Sequence, residues 1–292
     1  MVRDGEWTRV RPGAYVDTPA GTDRHADARL LALARIASVV GSLTTPLVVS
    51  HSSAALLWGL PAPTTSRVHI VQGTTPTGGA ADVARHAHAL AEDEHALVHG
   101  VPVTSATRTV VDCAMSLSPR AGLVVADAAV HAGVDRAACL DLVARMAGRR
   151  GVVRARAVLD LADDGAESPG ESLARFVLLA AGLPRPTTQV PVETRLGTFW
   201  SDLGWPEWCL LAEYDGRSKY EAGGSASEVV VAEKRRQDAI EDAGYRVLRL
   251  TKEDVQVPER LVARVVRAAP PGFAPRPLVP RGVLAAWPRR RR

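Results

Sequence analysis

The stretch WCLLAEYDG, residues 208–216, constrains this chain more than any other. Leu210, Leu211 and Ala212 mark a core strand, yet Glu213 and Asp215 follow two residues apart. The two-residue alternation of a strand puts both carboxylates on one face of a sheet. Like charges side by side in a half-buried place repel each other and are costly to desolvate, unless a cation or a shared proton compensates. The preceding strand, GTFWSDLGW, supplies Asp202, and a Trp205-Pro206-Glu207 turn lets that residue pair beside Glu213. Three carboxylates converging at the end of a small sheet suit a hard divalent cation such as Mg²⁺ or Mn²⁺. Such an ion polarises a phosphodiester and lowers the pKa of an attacking water.

Each acid also has a purely structural reading. Asp215-Gly216 can open a turn, and Asp202 can be a solvated acid at a strand edge. Glu171 matches a capping box, with Ser168 as N-cap, Pro169 at the first helical position and Glu171 at the third. Capping and a place at the rim of a site are compatible, because a capped helix end can face the sheet.

The order of elements around these acids is that of an α/β (α+β) domain. A helix (ESLARFVLLAAG) leads into three strands (TTQVPVETR, GTFWSDLGW, WCLLAEYDG). The helix EVVVAEKRRQDAIEDAG, the strand YRVLRL and the helix EDVQVPERLVARVVRAA follow. Upstream, TRVRPGAYVD reads as a short strand pair about Pro12-Gly13, and Ala26–Val39 and SHSSAALLWGL have helical spacing. RVHIVQG reads as a strand. VTSATRTVVDCAMSL, AGLVVADAAVHAG and DRAACLDLVARMAG read as three helices, the first capped by Thr104 or Ser105. The acids, Gly and Pro of LADDGAESPG mark a boundary. Three segments follow: 1–165 of mixed α/β and helical character, 166–270 around the acids, and a Pro- and Arg-rich tail, 271–292, expected to be flexible.

The net charge of +4 is unevenly spread. Nine arginines and no acid follow Glu259, so residues 1–259 carry −5. The tail is where salt-sensitive attraction to a nucleic-acid backbone is expected. Lys219, Lys234 and Lys252 are the only lysines, against 33 arginines, and all three fall in the segment around the acids. Lysine there is a compact, titratable point charge that arginine does not imitate. The charged start MVRDGEWTRVRPG has no secretory core, and Arg35 and Asp127 interrupt the most apolar runs, so a cytoplasmic location without a membrane span is expected. Cys113, Cys139 and Cys209 are too few and scattered for a disulfide framework or a zinc site.

Taken together, GESLARFVLLAAGLPRPTTQVPV, FWSDLGWPEWCLLAEYDG and EKRRQDAIEDAGYRVLRLTKEDV resemble the very-short-patch-repair-endonuclease-like domain of the restriction-endonuclease-like, PD-(D/E)XK superfamily. The resemblance covers roughly residues 166–256. It implies a Mg²⁺-dependent DNA endonuclease in which Asp202, Glu213 and Asp215 surround the metal. Glu171 would position the metal-bound water, and Lys219 or Lys234 would stabilise charge on the phosphate. Gln189, Arg236 and Arg249 match polar and basic positions of that family and are expected to face nucleic acid. Asp215 stands where such a domain usually has Lys, so a second reading is a non-enzymatic DNA-binding regulator with a degenerate nuclease fold.

The stretches GEWTRVRPGAYV, VSHSSAALLWGLP and VPVTSATRTVVD resemble the AbiEi-type antitoxin and its relatives. That resemblance implies a toxin or regulatory protein as a partner besides DNA. Such proteins carry a winged helix-turn-helix before the first of these stretches. Only Met1–Asp4 precede it here, so either the start is assigned too late or the reading helices are lost, and Glu6–Val16 is expected to be an orphaned wing. All eight histidines lie at or before His131. His86 and His88 alternate, His95 and His99 are four apart as on a helix, and His51 reads as a helix start. None has an evident acid partner on its own face, so no metal site is expected among them.

Overall fold

The structure is a computed structural model and describes residues 6–19, 21–73, 80–215 and 226–276. It divides into two compact units, Met1–Ala129 with Gly133–Asp160, and Val130–Ala132 with Leu161–Arg292. Helices and sheets are mixed in both, as an α/β chain requires. No helix among the described residues is long and apolar enough to cross a membrane.

The first unit opens with an antiparallel hairpin, β1 (Trp7–Arg11) and β2 (Ala14–Asp17), where the sequence places a strand pair. Helix α1 (Arg24–Ser42) follows, started by Asp23, whose carboxylate accepts from the backbone N–H groups of His25 and Ala26. Its buried Ala32, Ile36 and Val39 recur at helical spacing and face the core. The sheet is built from β3 (Val48–Val49), β4 (Val68–Val71), β5 (Val83–His86), β6 (His95–Val98) and β7 (Val101–Thr104), in the spatial order β5-β4-β3-β7-β6. Helix α2 (His51–Leu57) lies between β3 and β4 in the chain and adds Ala54 and Leu56 to the same core. Four helices follow, α3 (Ala106–Ser116), α4 (Pro119–His131), α5 (Arg136–Arg145) and α6 (Val152–Leu161). Ser105 caps α3 by accepting from the Arg108 N–H. The helical spacing of His95 and His99 does not produce a helix. His95 begins β6 and His99 turns the hairpin into β7 with φ of 50°, because Val101–Thr104 folds back to pair with His95–Val98.

The second unit contains α7 (Pro169–Ala180), β8 (Thr187–Thr194), β9 (Gly197–Trp205), β10 (Leu210–Tyr214), α8 (Ala226–Asp242), β11 (Arg246–Leu250), α9 (Lys252–Gln256) and α10 (Pro258–Ala268). The final helix expected from the sequence is two helices, because Pro258 starts a fresh one after Val257. The meander β8-β9-β10 is antiparallel, and α8 carries the chain across so that β11 pairs parallel with β10. One face of this sheet packs Leu203, Leu210, Ala212, Leu248 and Leu250 against Ala174 and Leu178 of α7 and Leu261 and Val265 of α10. The other packs Val190, Val192 and Leu211 against Ile240 of α8. At Gly204 the layers come so close that a Cβ would stand 2.9 Å from Leu211 Cδ2 and 3.1 Å from Val190 Cγ2. Since Leu211 faces α8, Glu213 two residues on faces it as well.

Candidate functional site

Glu213 is buried, and its carboxylate is held between two arginines. Arg236, on α8, donates from Nη2 to Oε1 at 2.5 Å and from Nη1 to Oε2 at 3.1 Å. Arg249, directly opposite Glu213 in the β10–β11 register, lies 3.1 Å from Oε2 through Nη1. Glu233, one helical turn before Arg236, receives Arg236 Nη1 at 3.3 Å and also pairs with Arg249. The Arg236 guanidinium sits 5.6 Å from the centroid of the Phe199 ring. The bonds to Glu213 raise the pKa of Arg236 further, against the opposing effect of burial. Two carboxylates and two guanidinium groups therefore form a neutral network on the α8 face.

The other acids are arranged around the end of β10. Asp202 Oδ2 accepts from the Tyr214 backbone N–H at 2.7 Å. Asp215 lies one residue beyond the strand, half-buried, with its N–H bonded to the Leu250 carbonyl at 2.8 Å. Glu171 is buried at the start of α7, where Ser168 caps the helix as expected. Its carboxylate accepts from Ser168 Oγ at 2.7 Å and from the Glu167 N–H at 2.9 Å, one residue earlier than a capping box reaches. Burial pushes its pKa up, the capping bonds work against that, and the Asp202 charge adds to the rise. Asp202, Glu213 and Asp215 do not form a trio of ligand atoms within 4.8 Å of one another.

The basic and polar positions expected to meet nucleic acid have partners within the chain. Arg236 and Arg249 are engaged by Glu213 and Glu233. Gln189 sits within β8 with φ of 46°, and its Nε2 donates to the Gly165 carbonyl at 3.2 Å. The pairing of β8 with β9 skips this position, where Asp202 stands opposite. Lys234 is exposed on α8, and Lys219 lies outside the described residues, as does the tail from residue 277.

In the first unit, the structure assembles a group that no local spacing announces. His51 opens α2, His69 lies in β4 and His86 ends β5. One ring nitrogen from each lies within 4.8 Å of the others, the sole such trio of His, Cys, Asp or Glu among the described residues. His69 Nδ1 and His86 Nε2 are 3.0 Å apart, and the His51 and His86 rings stack at 3.8 Å between centroids. Beside them, buried Arg108 donates from Nε to Asp112 Oδ1 at 2.9 Å and from Nη1 to Glu94 Oε2 at 2.7 Å. Its Nη2 lies 2.6 Å from His88 Nε2. Burial pushes His51 down to about 2 and His86 and His88 to about 4, and it raises Asp112 to about 6. The one local signal for this group is a histidine, His69, inside an apolar strand. Its partners come from sheet order: β4 and β5 pair in parallel, bringing His86 beside Val71.

A family model for the AbiEi antitoxin C-terminal domain matches residues 47–161, which include the histidine group and Arg108. It does not reach Glu171, Asp202, Glu213 or Asp215. The uncharacterized protein Rv2248 of Mycobacterium tuberculosis strain ATCC 25618 / H37Rv is 30% identical over 238 residues, 80% of this chain and 86% of that protein. The uncharacterized protein MT2308 of strain CDC 1551 / Oshkosh shows the same identity and coverage. No solved structure matches the chain. The chain belongs to the family of these mycobacterial proteins and carries within it an AbiEi antitoxin C-terminal domain.

Proposed function

We propose that this chain is an antitoxin-type regulatory protein that binds DNA and a protein partner, and that its second unit keeps a restriction-endonuclease-like fold without cleaving DNA. The antitoxin domain at residues 47–161 supports the regulatory role. The observation that carries the rest is the double ion pair on Glu213. A carboxylate whose two oxygens already accept from Arg236 and contact Arg249 is neutralised, and a Mg²⁺ ion must displace both guanidinium groups to reach it. Asp215 in place of the usual Lys removes a further part of the hydrolytic apparatus.

DNA affinity in this reading comes from sequence-independent charge. The arginines after Glu259 are its main source, apart from Arg260 and Arg264, which pair with Asp254, and the β1–β2 hairpin adds exposed Trp7 and Tyr15. The test is fluorescence anisotropy of the full chain on labelled duplex DNA at several salt concentrations. Serine at Arg289, Arg290, Arg291 and Arg292 should weaken binding and flatten the salt dependence, by about 0.9 in log–log slope for each phosphate that is no longer neutralised. An unchanged slope removes the tail from the DNA interface.

A second reading, a metal-dependent nuclease, is favoured by one feature. Asp202 and Glu171 are near enough for the charge of one to raise the pKa of the other, as acids around a shared cation would be. In that reading Asp202, Glu213 and Asp215 hold Mg²⁺ or Mn²⁺ after Arg236 and Arg249 swing away. Metal-dependent nicking by the purified protein separates the two.

A further inference from the structure

We propose that His51, His69 and His86 together bind one divalent transition-metal ion, zinc foremost, and leave a fourth coordination position for water. The three ligand nitrogens already lie within 4.8 Å of one another. Tetrahedral zinc with Zn–N bonds of about 2.0–2.1 Å sets its nitrogens about 3.3 Å apart. His69 Nδ1 and His86 Nε2, at 3.0 Å, are close to that spacing, and a metal replaces the proton they would otherwise share. The His51 and His86 rings are stacked 3.8 Å apart beside these nitrogens, and small adjustments of the soft terminal ring torsions aim the lone pairs at one ion. The donor set is all nitrogen, which selects Zn²⁺, Co²⁺ or Ni²⁺ and disfavours Mg²⁺.

Two independent features point to the same site. Behind His51, Asp112 Oδ2 is buried and has no hydrogen-bond partner among the described residues, and it lies 3.9 Å from His51 Nδ1. Ser50 Oγ is 3.0 Å from the same nitrogen. A metal-ligating histidine characteristically presents its far ring nitrogen to a carboxylate or hydroxyl, which fixes the tautomer with the lone pair on Nε2. The second feature is the backbone. His51 adopts φ of 52°, a left-handed conformation that a non-glycine residue avoids, at the first position of α2. That conformation delivers its ring to the β4–β5 edge. His88 is not a fourth ligand, because its Nε2 is engaged by Arg108 at 2.6 Å.

The experiment uses untagged full-length protein stripped with chelator, so that no affinity tag supplies histidines. Co²⁺ titration followed by visible absorption should give one equivalent with the intense bands of a tetrahedral, nitrogen-rich site, and calorimetry with Zn²⁺ should give the same stoichiometry. His69→Gln and His86→Gln should each weaken Zn²⁺ binding by about 100-fold, and Asp112→Asn by about 10-fold through loss of the orienting carboxylate. Asp202→Asn with Glu213→Gln should leave the affinity unchanged, which excludes the carboxylates of the other unit as the source. Circular dichroism checks that each variant folds. The spectrum of the parent protein stands by itself if a variant does not. A parent that takes up no cobalt, or that shows an octahedral spectrum, overturns the proposal. So does a folded His69→Gln or His86→Gln protein that binds zinc as the parent does.

Discussion

Arg236 closes on Glu213 in a two-pronged ion pair, with Nη2–Oε1 at 2.5 Å and Nη1–Oε2 at 3.1 Å, and spans from α8 to the end of a core strand. A carboxylate projecting from an apolar strand needs a positive partner, and here the chain provides two from its own helix and neighbouring strand. Guanidinium groups therefore compensate the charge of a carboxylate for which the sequence pattern invites a cation.

The consequence for stability is specific. If Glu213 and Asp215 faced each other alone, Glu213→Gln would relieve repulsion and stabilise the fold. With Arg236 and Arg249 on Glu213, the sign reverses, and Glu213→Gln should lower stability. Arg236→Ala should cost about 1–3 kcal/mol by leaving a buried carboxylate with Arg249 alone, and Arg236→Lys should recover only part of it, because an ammonium cannot bridge both oxygens. Urea unfolding of the three variants measures this. A melt raised by Glu213→Gln would contradict the pairing.

Glu171 separates capping from chemistry. Its bonds to Ser168 Oγ and the Glu167 N–H tie down the start of α7. Glu171→Ala should cost about 1 kcal/mol, and Glu171→Gln distinctly less, since an amide oxygen still accepts. Equal losses from both substitutions would show that the charge rather than the cap matters.

The first unit should be acid-sensitive when free of metal. His51 is held at about 2 and His86 and His88 at about 4, against an ordinary value near 6.5. Depressed values mean the fold favours neutral rings. Their contribution is fully present above about pH 6.5 and is lost as pH falls towards 4. Asp112, raised to about 6, acts in the opposite sense over pH 6 to 3.8, because the fold favours its protonated form. Arg108 and the lowered His69 reinforce the histidine effect, while Glu94 opposes it at His88. Several histidines outweigh one acid, so the melting temperature of chelator-treated protein should drop between about pH 7.5 and pH 5. A flat or rising profile would contradict this.

Legibility in the sequence follows the range of each interaction. The αβββαβ order around the acids, the Ser168–Pro169–Glu171 helix start and the placement of Glu213 on a strand face all rest on spacings of two to four residues, and all are present. What is not legible depends on long-range pairing. Arg249 meets Glu213 because β11 lies parallel to β10 after a crossover, and no local pattern fixes that register. The same holds for His51, His69 and His86, which come from a helix start and two strands. His95 and His99 mislead for the converse reason, since their spacing suits a helix but the hairpin with β7 overrides it.

Whether the arginine pair on Glu213 leaves the second unit without cleavage is tested by supercoiled-plasmid nicking by the purified protein with Mg²⁺, with Mn²⁺ and with EDTA, beside Glu213→Gln. The parent should retard the plasmid on a gel yet leave it supercoiled under all three conditions, indistinguishable in cleavage from Glu213→Gln. Nicking that requires Mg²⁺ or Mn²⁺ and disappears in Glu213→Gln would contradict this, and would make the arginine pair on Glu213 a resting state of a working nuclease.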